Sequence, residues 1–182
     1  MYLNGLTSSV SGNHSIKFQN IWMWITPSGI PRYNLKEKDL VKVNLETMKA
    51  RGRRKPSTEW HMHEAVYKRL EDINAIAHTH SPYTLAIAIS QYEYSFQHII
   101  EEAKMIVGDP VIISNKPSGS IDLASAVSEA FDKETRAVII KNHGVVAVGK
   151  HIHQARAVIE SLEEWAKILA ISKIFGGVKD LL

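Results

Sequence analysis

The sequence predicts a layered α/β domain on a mixed, largely antiparallel sheet, and three observations carry that expectation. Short strand-like runs are interspersed with longer helical patterns along the whole chain. Several neighbouring strand runs lie close enough to pair as hairpins. The composition is that of a globular protein with a full core: 182 residues, 45% hydrophobic and 23% charged. No internal repeat, low-complexity stretch or linker divides the chain, so residues 1–182 are expected to form one domain.

The elements follow in order. Residues 14–18 (HSIKF) and 21–26 (IWMWIT) are expected strands joined by Gln19 and Asn20, before a turn-rich loop at 27–31. Residues 41–45 alternate apolar and polar, as a half-buried strand does. A basic turn, 51–55, precedes Pro56-Ser57-Thr58-Glu59, which opens a helix to about Leu70. Ser57 or Thr58 would cap it, and Ala65, Val66 and Leu70 suit its buried face. Residues 73–77 form a short apolar strand ending at His78, and Ser81-Pro82 begins a helix to about Ser90. Residues 111–114 are a strand, and 120–131 a helix with Leu123, Val127 and Phe131 along one side. Strands 137–141 and 145–149 flank Asn142-His143-Gly144. The last helix, about 154–174, carries Val158, Leu162, Trp165 and Leu169 on one stripe, with Ile168 and Ile171 off its centre.

Composition excludes several function classes. Without cysteine there is no disulfide, thiolate metal site or thiol nucleophile. A net charge of +3 gives no argument for nucleic acid. No apolar run reaches the roughly 18 residues of a membrane span, and the start lacks the basic and apolar regions of a signal peptide. A cytoplasmic location, with no membrane partner, is the expectation.

The unusual residue is histidine. There are nine, six of them in pairs spaced two apart: His61 and His63, His78 and His80, His151 and His153. Alternate residues of an extended chain share a side, so His78 and His80 can aim at one point, as a divalent metal requires. His143 is the natural third ligand. The competing reading is a pair of ordinary polar strand-end histidines. His151 and His153 have no apolar context and are expected to face solvent. Glu59 and His63 lie four apart and share a face. Glu59 is either a metal ligand or base, or a carboxylate placed against the helix dipole, with His63 packed structurally. Two segments suit an anion: Pro56-Ser57-Thr58 at a helix start, and the loop Thr26-Pro27-Ser28-Gly29.

The order of these pieces closely resembles the class II aldolase/adducin family, and within it the fuculose-phosphate aldolase type. The residues that carry the resemblance are Gly12-Asn13-His14-Ser15-Ile16-Lys17, Ile25-Thr26-Pro27-Ser28-Gly29, Pro56-Ser57-Thr58-Glu59 with His63 and Tyr67, His78-Thr79-His80, and Asn142-His143-Gly144. The resemblance implies a three-layer α/β/α sandwich around a mostly antiparallel sheet, assembled as a homotetramer. It implies Zn2+, or a similar ion such as Mn2+ or Co2+, on His78, His80 and His143, with Glu59 a ligand in the resting state and the general base during turnover. The substrate phosphate would lie on Asn13, Ser28, Gly29, Ser57 and Thr58. The activity implied is cleavage of a ketose 1-phosphate, such as L-fuculose 1-phosphate, to dihydroxyacetone phosphate and an aldehyde through a metal-stabilised enediolate.

Rivals on the same site are a sugar-phosphate dehydratase and a 4-epimerase. Glutamate at 59 speaks against the epimerases, which carry aspartate there. A third reading is a non-catalytic assembly or binding member, although adducin-like members have lost the metal histidines kept here. Only Met1–Asn4 precede Gly5-Leu6, where the family usually has a first helix. Val10 stands where the fuculose enzyme offers threonine. The tyrosine that reaches a neighbour's site there matches a position near Ile99, with Tyr92, Tyr94, Glu101 and Glu102 as nearby polar candidates. The end of the chain, 175–182, lacks the tyrosine-bearing tail.

Overall fold

The computed structural model of the chain describes residues 1–90, 96 and 99–179. Eight strands form one sheet: β1 (Asn13–Phe18), β2 (Trp22–Ile25), β3 (Val41–Asn44), β4 (Ala50–Arg51), β5 (Ala75–Thr79), β6 (Val111–Ile113), β7 (Ala137–Ile140) and β8 (Gly144–Gly149). Their order is β4-β3-β2-β1-β5-β8-β7-β6. Every neighbouring pair is antiparallel except β6 and β7. Among these residues five α-helices flank it: α1 (Trp60–Arg69), α2 (Pro82–Ile89), α3 (Glu101–Val107), α4 (Ile121–Ala130) and α5 (Ile152–Ser172).

Strand alternation divides the core in two. Ile76, Val138, Ile140, Val146 and Val148 point to one face, where Met62, Val66 and Tyr67 of α1 and Leu123, Ala124 and Val127 of α4 cover them. Ala75, Ala77, Ile139, Val145 and Ala147 point to the other, under α2, α3 and α5. The stripe foreseen on α5 is the one buried, with Trp165 and Leu162 fully enclosed. The result is the three-layer α/β/α sandwich.

The covering is asymmetric. Met23, Ile25, Val41 and Val43 lie under the α1 side, but among the described residues no helix covers their outward neighbours. Ile16, Phe18 and Trp24 stay 43%, 55% and 36% exposed. Ile168 and Ile171 are exposed at the far end of α5.

Several boundaries differ from expectation. Strand β5 runs through His78 to Thr79, because both neighbours continue to pair with it: Asn13 with His78 on one side, Val145 with Thr79 on the other. Helix α1 begins at Trp60 with Glu59 as its N-cap, not Ser57 or Thr58. A turn in which the Trp60 N–H donates to the Ser57 carbonyl takes up those residues first. Helix α5 starts at Ile152, because His151 caps it by accepting from the Gln154 N–H. His151 and His153 are solvent-exposed as expected. Strand β4 and helix α3 were not foreseen. Glu101 and Glu102 lie in the first turn of α3, while Tyr92 and Tyr94 lie outside the described residues, as does the end of the chain from residue 180. No helix among the described residues is long and apolar enough to cross a membrane.

Two histidines are held inside in neutral form. Burial pushes His63 down to about 3, with His78 adding to the shift and Glu59 opposing it. Burial and then Arg32 push His14 down to about 3 as well. The unfolded chain takes up these protons near pH 6.5 while the folded chain does not, so acid favours unfolding. Stability to urea is therefore expected to be flat above pH 7 and to fall as pH drops from about 6.5 toward 3. A urea midpoint unchanged at pH 4.5 would contradict this burial, at a pH that exceeds about 3 and lies below about 6.5.

Candidate metal centre

Strand β5 occupies the middle of the sheet and ends at the site. His78 and His80 leave it on the same side, as alternation requires. His143 comes from the turn between β7 and β8. Asn142 makes that turn with φ 58°, a left-handed conformation that asparagine tolerates. Gly144, which follows His143, is required for space. A Cβ there would lie 2.4 Å from the Thr79 carbonyl oxygen and 2.6 Å from His78 Cε1. Gly12, at φ +70°, is required for its backbone conformation and for space, since its Cβ would sit 2.6 Å from the His78 carbonyl oxygen.

The three imidazoles converge. Ring centroids are 5.2 Å apart for His78–His80, 5.1 Å for His78–His143 and 5.6 Å for His80–His143. One nitrogen from each lies within 4.8 Å of the others. Glu59 completes the group, with Oε2 3.2 Å from His78 Nε2 and Oε1 2.9 Å from His143 Nε2.

One atom tests whether a cation fits. His78 Nδ1 donates to the Val145 carbonyl at 3.0 Å, which leaves Nε2 as the coordinating lone pair. That Nε2 is buried without a hydrogen-bond partner, yet it faces a carboxylate oxygen. Two acceptors held this close repel unless positive charge lies between them. Three nitrogens and one carboxylate suit a divalent ion such as zinc. The pKa shifts agree. Burial, then His78 and His143, push His80 down to about 4, so it is a neutral donor. Burial opposes ionisation of Glu59, but the donors around it, the His143 imidazole foremost, outweigh it and hold the carboxyl well below the usual range.

Beside this group lies a cavity of about 130 Å³ lined by Asn13, Ser28, Gly29, Ser57 and Thr58, all five of the residues singled out for phosphate. The backbone there is partly committed. The Ser28 N–H donates to the Lys55 carbonyl and the Ser57 N–H to the Thr26 carbonyl. What faces a ligand is then the hydroxyls, with the Gly29 and Thr58 N–H groups, which have no acceptor among the described residues. Asn13 is engaged with Glu59 through Nδ2 at 2.8 Å.

Two residues escaped the sequence analysis. Ser118 donates to Glu59 Oε1 at 2.8 Å and lies 3.4 Å from His143 Nε2. Arg32 lines the cavity and donates to the carbonyls of Ser11, Val10 and Gly12, holding that loop in place. A signal for Ser118 existed: Pro27-Ser28-Gly29 recurs as Pro117-Ser118-Gly119, and both triplets reach the same cavity.

Comparison with known proteins gives the same answer as the geometry. A profile of the class II aldolase and adducin N-terminal domain matches residues 1–170. A 5-deoxy-D-ribulose 1-phosphate aldolase from Bacillus thuringiensis is 37% identical, over 98% of this chain and 83% of its own. An L-fuculose phosphate aldolase from Methanococcus maripaludis is 36% identical, over 86% of this chain and 83% of its own. The crystal structure of L-fuculose-1-phosphate aldolase from Thermus thermophilus superposes with a TM-score of 0.84 at 26% identity, over 100% of this chain and 92% of that one. The chain belongs to the class II aldolase and adducin family, and its three histidines place it with the metal-dependent aldolases, which are lyases.

Proposed function

We propose that the protein cleaves a ketose 1-phosphate to dihydroxyacetone phosphate and an aldehyde. The observation that carries this reading is a buried carboxylate, Glu59, set against three convergent imidazoles at the edge of a polar cavity. The names of the two relatives support the substrate class, since 5-deoxyribulose 1-phosphate and L-fuculose 1-phosphate are both ketose 1-phosphates.

His78, His80 and His143 would hold Zn2+, or Mn2+ or Co2+, with Glu59 as a fourth ligand at rest. Such an ion supplies a Lewis acid for the substrate's carbonyl oxygen and lowers the pKa of the adjacent C–H. The hydroxyls of Ser28, Ser57 and Thr58, the Gly29 N–H and the remaining N–H of the Asn13 amide suit the phosphate, a dianion that needs donors and finds no carboxylate but Glu59 among the cavity's lining residues. In the cleavage direction the carbon–carbon bond beyond the carbonyl-bearing unit breaks, and its electron pair stays with the dihydroxyacetone phosphate half. The hydroxyl of the departing half gives its proton to water as it becomes the aldehyde, and Glu59 takes up a proton from water and delivers it to that carbon. In the synthetic direction Glu59 removes the same proton. No lysine is needed.

We further propose the family's homotetramer as the working assembly. The bare sheet face at Ile16, Phe18 and Trp24, with Ile168 and Ile171 at the end of α5 and Ile174 and Phe175 just after it, supports it, because exposed apolar area of this kind is most economically covered by another copy.

Two outcomes are expected. Glu59→Gln should retain metal on the three histidines but slow exchange of the dihydroxyacetone phosphate proton with solvent by about 10²–10⁴-fold; exchange at the parent rate would make Glu59 structural. A product other than an aldehyde from the parent protein would favour a dehydratase or epimerase instead. Light scattering at micromolar concentration should give the mass of four chains, and a stable, active monomer would defeat the assembly.

A further inference from the structure

A chain of buried polar groups runs away from Glu59, into the space between β1 and α1, and beyond Asn13 the reaction above does not use it. Asn13 Nδ2 lies 2.8 Å from Glu59 Oε2, and Asn13 Oδ1 lies 2.5 Å from His63 Nε2. His63 Nδ1 is 2.7 Å from Ser15 Oγ, which is 2.9 Å from the Tyr67 hydroxyl. Asn13, Ser15 and Tyr67 are at most 3% exposed, and His63 is fully enclosed.

The direction of every proton in this chain is fixed by elimination. Glu59 is a carboxylate and can only accept, so the Asn13 amide must turn its nitrogen toward Glu59 and its oxygen toward His63. An amide oxygen also only accepts, so the proton of His63 sits on Nε2. His63 is neutral in its buried setting, pushed down to about 3 by burial first. Its Nδ1 is then an acceptor, which Ser15 Oγ–H fills. Ser15 Oγ in turn accepts from Tyr67, whose hydroxyl burial pushes further up and so keeps protonated. Each donor therefore points one way, from Tyr67 to Glu59.

We propose that His63 is a positioning residue for Glu59: by donating to Asn13 Oδ1 it forces the Asn13 N–H onto Glu59 Oε2 and fixes the rotamer of the carboxylate that moves the substrate proton. The proposal rests on Glu59 being the base. Without His63, the Asn13 amide loses the partner that tells its two ends apart, and Glu59 loses a fixed donor on one oxygen. The other oxygen is already held by Ser118. Both oxygens thus have a donor supplied by the protein, which leaves the carboxylate one orientation when the substrate displaces it.

The test uses two near-isosteres that split the two bonds of the imidazole. In His63→Gln the amide nitrogen takes the place of Nε2 and can still donate to Asn13. In His63→Asn the amide oxygen takes the place of Nδ1 and keeps only the Ser15 side. His63→Leu keeps neither. The Gln variant should retain most of the proton-exchange rate with dihydroxyacetone phosphate, whereas the Asn and Leu variants should lose about 10–100-fold in kcat with metal still bound. Equal losses in all three, following their melting temperatures, would make His63 structural and overturn the proposal. A second readout needs neither metal nor substrate. With isotope-labelled histidine, the signal lost in His63→Gln should be a slowly exchanging Nε2–H with a bare Nδ1, and Asn13→Ala should shift it. A proton on Nδ1, or no response to Asn13→Ala, would overturn the proposal whatever the activity. Parent protein that binds metal yet exchanges nothing would refute the aldolase reading instead, and the second readout would still decide the role of His63.

Discussion

The site depends on one electrostatic conflict. A carboxylate oxygen and an imidazole lone pair, both nearly buried, are pressed to 3.2 Å with no proton aligned between them. Either alone would be ordinary. Together they cost free energy in the absence of a cation, because desolvation removes the water that would screen them. The surrounding structure maintains the conflict: the Val145 carbonyl sets the tautomer of His78, and Asn13 and Ser118 hold the two oxygens of Glu59. This rigidity is what a metal centre with a releasable carboxylate requires, since the carboxylate must leave and return to a defined position.

The sheet makes that rigidity possible. His78 sits on a strand paired on both sides, opposite Asn13 on β1 and Val146 on β8. Its neighbours are therefore fixed by backbone hydrogen bonds, and by the lack of side chains at Gly12 and Gly144 where the backbones approach. The α1 helix then brings Glu59 at its start and His63 one turn later against the same strand β1. The sandwich and the cluster of Glu59 with the three histidines are thus consequences of the same register.

Much of this was legible in the sequence. Strand alternation placed His78 and His80 on one side, and the strand–turn–strand pattern around His143 supplied the third nitrogen. The four-residue spacing of Glu59 and His63 was also informative, though it left two readings open. Both residues point the same way, yet one meets the three histidines and the other the polar network beneath them, a split that spacing cannot express because it depends on what β1 presents. The repeat of Pro-Ser-Gly could have flagged Ser118, but its approach to Glu59 is a contact between distant segments that the sequence does not show. Helix α3 was hidden by its length of seven residues, too short for a periodic pattern to stand out. The uncovered sheet face was hidden for a different reason. In Trp22–Ile25 both sides of the strand are apolar, and alternation distinguishes faces only when one of them is polar.

The most direct test of this account is metal content measured on the purified protein after chelation and dialysis against zinc at neutral pH. The account predicts one tightly held ion per chain, lost in a variant with His78 replaced by alanine and kept in Glu59→Gln, where the three imidazoles remain. A folded parent protein that takes up no ion, or that binds equally well without His78, would contradict it.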